Sequence, residues 1–72
     1  MDKQRVIEYG DRIFARVMKN GRTILDFMTE NVSNMSELIE RLQSEMVGSR
    51  GMVMVQIRNY HQGWGARKWM MV

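Results

Sequence analysis

An Asn-Gly pair at positions 20 and 21 restricts this chain more than anything else in it. Both residues tolerate the positive φ of a type I′ turn, whose twist matches that of two antiparallel strands. Residues 12–19 and 22–28 on either side are rich in β-branched and aromatic side chains. A β-hairpin is therefore expected, and the turn sets its register. Counting back from it places Val17 opposite Ile24, Ala15 opposite Asp26 and Ile13 opposite Met28 on one side. Met18 then faces Thr23, Arg16 faces Leu25 and Phe14 faces Phe27 on the other.

A helix follows. Asn34 stands three residues before Glu37, the spacing at which a side chain caps the orphan amides of a helix start. Ser33 is the alternative cap. Met35, Leu38, Ile39, Leu42 and Met46 recur at helical spacing and form one apolar stripe. Glu37 precedes Arg41 by one turn, the favourable order for such a pair. Gly48 suits the position just beyond the end, where left-handed geometry is common. Residues 51–59 read as a third strand, with Val53, Val55 and Ile57 alternating against Met52, Met54, Gln56 and Arg58. Residues 60–65, with two glycines, read as a loop and 66–72 as a fourth strand. Residues 1–11 suit either a short helix or a strand extension bent at Gly10. The expected fold class is α+β in ββαββ order: an antiparallel sheet of two hairpins with one helix packed on one face. Residues 1–72 read as a single small domain.

That size sets the energetics. A chain of 72 residues buries only roughly 60–65% of the surface its unfolded form exposes. There is no cysteine and one histidine, which leaves no disulfide, no thiolate-bound zinc and no imidazole metal site. No cofactor is expected. Self-association remains as extra support. No secretory signal is visible behind the first Met, and the apolar runs are far short of the ~18 residues of a spanning helix, so a cytoplasmic protein with no membrane role is expected. The nine methionines are a high count for this length, and methionine fills irregular cores or adaptable contact surfaces.

Charge is distributed unevenly. Residues 1–49 carry seven Lys/Arg against eight Asp/Glu, a net of −1, whereas residues 50–72 carry four cations and no carboxylate. In that stretch Arg58, Tyr60, Trp64, Arg67, Lys68 and Trp69 mix cations with aromatics, as surfaces for nucleic acid do. These six are the candidate nucleic-acid-binding residues. About four phosphate contacts would give a log–log salt slope of about −3 to −4 on a duplex. The competing reading makes the tryptophans packing residues and the cations solvated edge charges that discourage strand pairing. The outer face of the helix, with Glu37, Glu40 and Glu45, repels phosphate. Nucleic acid is therefore expected on the sheet or the C-terminal hairpin.

One helix covers one side of a sheet. The counted register leaves Phe14, Met18, Leu25 and Phe27 on the other side, where Met52 and Met54 can join them. Apolar surface of that extent is unusual on a monomer. Its cover would be a second copy of the chain, a partner protein, or stacked bases; these six residues are the candidate interface of a homo-oligomer. An alternative sets Phe14 and Phe27 in the core. Catalysis finds little footing: His61 has no carboxylate or nucleophile beside it in sequence, and Gly63-x-Gly65 opens no helix. The function expected is that of a small non-catalytic binding domain, self-associating and contacting nucleic acid. The alternative is a protein-interaction or homo-oligomeric accessory module.

Overall fold

The computed structural model describes residues 5–46 and 48–72. The chain forms strands β1 (Ile13–Lys19) and β2 (Arg22–Thr29), helix α1 (Met35–Glu45), then β3 (Met52–Asn59) and β4 (Trp64–Met71). The sheet order is β2-β1-β3-β4, with every neighbouring pair antiparallel. The fold is thus α+β in ββαββ order, as expected. The helix carries the chain from the β2 edge across β1 to β3.

Local chemistry accounts for these elements. Asn20 and Gly21 adopt φ of 52° and 77°, the pair of positive values that closes the first hairpin. Asn34 caps α1: its Oδ1 accepts from the Glu37 amide at 2.9 Å, and the Glu37 carboxylate accepts from the Ser33 amide at 2.9 Å. The second hairpin turns more tightly than expected. Only residues 60–63 lie between the strands, and Gly63 takes the positive φ of 75°. Gly65 belongs to β4, which begins at Trp64 rather than residue 66.

The first hairpin departs from simple counting. Met18 pairs with Thr23, but Val17 pairs with Leu25, so Ile24 is the extra residue of a β-bulge. Beyond it the register runs Arg16 to Asp26, Ala15 to Phe27, Phe14 to Met28 and Ile13 to Thr29. Leu25 and Phe27 therefore leave the open face, where counting had placed them, and pack against the core under the helix. Met28 and Asp26 take their places. The reason is electrostatic. Without the bulge Asp26 would lie opposite Ala15 beneath the helix, a carboxylate buried without a partner, which is costly. With it, Asp26 reaches outward and accepts from Arg16 Nε at 2.8 Å.

Ile13, Ala15 and Val17 of β1 and Val53, Val55 and Ile57 of β3 meet Leu38, Leu42 and Met46 of the helical segment in one core. Ile7 joins it from the irregular N-terminal segment, in which residues 5–8 are neither helix nor strand. The first four residues of the stretch left open above lie outside the described residues. The molecule measures 35 × 25 × 16 Å. Its thin axis accommodates one sheet and one helix, and among the described residues no helix or strand lies over the opposite sheet face.

Candidate nucleic-acid interface

Residues that pair across antiparallel strands share a face, so the registers lay out the helix-free surface row by row. One row reads Met28, Phe14, Arg58, Gly65; the next reads Asp26, Arg16, Gln56, Arg67; a third reads Thr23, Met18, Met54, Trp69. Met52 and Met71 continue the last row toward the C-terminus. At the other end Tyr60 follows β3, its amide donating to the Arg12 carbonyl at 3.0 Å. The surface thus has two unlike halves. One is methionine-rich with Trp69; the other is cationic with Phe14 and Tyr60.

Within the cationic half, two arginines are already engaged. Arg12 Nε lies 3.4 Å from Glu30, and Arg16 Nε lies 2.8 Å from Asp26. The hydrogen bond and charge of Asp26 hold the Arg16 guanidinium above its ordinary pKa, and its Cζ sits 5.7 Å over the Phe14 ring. Arg5, Arg58 and Arg67 differ: among the described residues no carboxylate lies within ion-pair distance of any of them. All three line one shallow cleft with Phe14, Gln56, Tyr60 and Gly65. Its volume is about 490 Å³, within the roughly 300–1,000 Å³ of small-ligand sites.

The six candidate binding residues are divided by this geometry. Arg58, Tyr60 and Arg67 come together at the cleft. Trp69 shares the face but stands at the methionine-rich end, 63% exposed. Lys68 pairs with Val55 and so belongs to the helix side of the sheet. Trp64 is also on that side, only 7% exposed; its Nε1 donates to the Val6 carbonyl at 2.8 Å, a packing role. Of the candidate interface residues, Phe14, Met18, Met52 and Met54 lie on the open face, whereas Leu25 and Phe27 do not. Arg5, Gln56 and Gly65 were not singled out from the sequence. The alternation of β3 would have placed Gln56 beside Arg58, and pairing across the second hairpin would have set Gly65 opposite it. Nothing in the sequence brings Arg5 there.

Behind the cleft, the second hairpin is clasped to the N-terminal segment. The fully buried Asn59 donates through Nδ2 to Val6 O at 3.3 Å and to Asp11 Oδ2 at 3.0 Å. Its Oδ1 accepts from the His61 and Gln62 amides at 3.0 and 2.9 Å. Asp11 also accepts from the Glu8 amide at 3.0 Å. The Asn59 hydrogen bond, then that of Glu8, lowers the Asp11 carboxyl below its ordinary value; burial opposes them, and the Gln62 and His61 side chains add smaller effects. His61 is exposed. Among the described residues no group of three or more His, Cys, Asp or Glu side chains is placed to hold a metal, and no helix is long and apolar enough to cross a membrane. Comparison with protein-family models, with curated proteins and with solved structures found no match to this chain.

Proposed function

We propose that this protein is a binding domain for single-stranded nucleic acid and that the helix-free sheet face is its binding surface. The observation that carries the reading is the convergence of Arg5, Arg58 and Arg67, none within ion-pair distance of a carboxylate among the described residues, on a cleft that also holds Phe14 and Tyr60. Guanidinium groups attract phosphate, and aromatic rings beside them stack bases regardless of sequence. A sheet face over which no described helix or strand lies suits unpaired strands better than the groove of a duplex. Binding of a short labelled oligonucleotide, followed by fluorescence anisotropy at ~50 mM salt, tests it. Three phosphate contacts on a single strand give a log–log salt slope of about −2. Replacing Arg58 and Arg67 by Ala lowers affinity and flattens that slope. An anisotropy that does not change with either RNA or DNA overturns the reading.

A second reading has its own support. Met18, Met52, Met54, Trp69 and Met71 form a contiguous apolar area on the other half of the face, with Trp69 and Met71 each 63% exposed. Apolar surface of this kind, rich in adaptable methionine, suits contact with a second copy of the chain. The two readings occupy different halves and are compatible.

A further inference from the structure

Gly65 is the second residue of β4 and lies opposite Arg58. Glycine inside a strand weakens it and supplies no side chain for packing. It is retained where the backbone needs a positive φ or where space is short. Gly63 and Gly21, with φ of 75° and 77°, are of the first kind. Gly65 is of neither. Its φ lies outside the left-handed region, and a Cβ built there would meet only the Ile57 carbonyl oxygen, at 3.5 Å, an ordinary contact. The fold does not require glycine at this position. What the missing side chain does is keep the cleft floor open. A second hollow of about 320 Å³, lined by Arg58, Tyr60, Gly63, Trp64 and Gly65, adjoins the first. Arg58, Tyr60 and Gly65 line both.

We infer that the hollow over Gly65 is a slot for one unstacked base of a bound single strand, set against the backbone and flanked by the Arg58 guanidinium and the Tyr60 ring. This rests on the nucleic-acid reading above and adds to it the atom-level place where a base, rather than a phosphate, is read. Guanidinium planes and phenol rings both stack on bases, and glycine is the residue that lets a ligand approach the backbone closely. Arg5 and Arg67 take the flanking phosphates, and Arg58 keeps its contact with the phosphate of the nucleotide whose base it flanks.

The test compares the wild-type protein with Gly65→Val and Gly65→Ala. Each is titrated with a short single-stranded oligonucleotide and with an abasic backbone of equal length, and thermal unfolding is recorded in parallel. The valine variant keeps or raises the melting temperature, since β-branched residues favour strands. It loses about tenfold or more in affinity for the oligonucleotide, the scale of one lost base stack, and binds the abasic chain as the wild type does. The alanine variant, whose Cβ meets only an ordinary contact, shows the same selectivity with a smaller loss, and it carries the comparison if valine unfolds the chain. Unchanged oligonucleotide affinity in the folded variants overturns the slot. So does a wild type that binds the abasic chain as tightly as the oligonucleotide. Both of these leave phosphate binding intact, whereas a wild type that binds neither polymer removes both proposals.

Discussion

Asn59 uses all of its side-chain hydrogen-bonding groups, and the two acceptors of its Nδ2, the Val6 backbone carbonyl and Asp11 Oδ2, lie 53 and 48 residues away in sequence. No local pattern reveals such a residue. It ends a strand that alternates clearly, and asparagine at a strand end ordinarily reads as part of a turn. The consequence for stability runs through Asp11. Its pKa is lowered in the folded chain from the ordinary 3.8, so the unfolded state takes up a proton first as pH falls. The associated stability is fully present above about pH 4 and is lost as pH drops through the folded value. Urea unfolding over a pH series is expected to show Asp11→Asn less stable than wild type at neutral pH, with the gap closing on acidification. Parallel pH profiles for the two proteins would show that the clasp does not depend on the charge.

Among the elements, the first hairpin shows most clearly what local patterns reveal and what they hide. The Asn-Gly turn and the strand-forming flanks were legible, as was the capped helix with its apolar stripe, because each follows from neighbours in sequence. The bulge at Ile24 was not. Turn counting assumes an uninterrupted ladder, yet that count set Asp26 under the helix, a conflict only an extra residue resolves. The face assignment can be tested directly. Phe27→Glu sets a charge against the core and is expected to cost at least roughly 2 kcal/mol more than Met28→Glu, which lies on the exposed face. Chemical denaturation of the two variants measures the difference. A larger loss for Met28→Glu than for Phe27→Glu would mean that the ladder runs straight through Ile24, since that count sets Met28 opposite Ile13 under the helix and Phe27 on the open face.

At the largest scale a sheet and a helix form two layers, with opposite habits at the two ends of the helix-free side. The C-terminal excess of positive charge was visible from composition, but its division between two sides of the sheet depended on pairing: Arg58 and Arg67 fall together, while Lys68 points to the other layer's side. The methionine-rich end makes a separate expectation. Mass measured in solution should rise toward that of a dimer with concentration, and Trp69→Glu or Met54→Glu should return it to a monomer without unfolding. A wild type that stays monomeric at every concentration would leave that end without a second copy to meet. The two tryptophans occupy contrasting surroundings, one sealed against the Val6 carbonyl and the other projecting from the sheet. The protein therefore carries two optical reporters of different colour. A red shift of the blue-emitting indole signals release of the N-terminal segment, and quenching or a blue shift of the solvated one signals occupancy of the outer surface, so each event can be followed without a label.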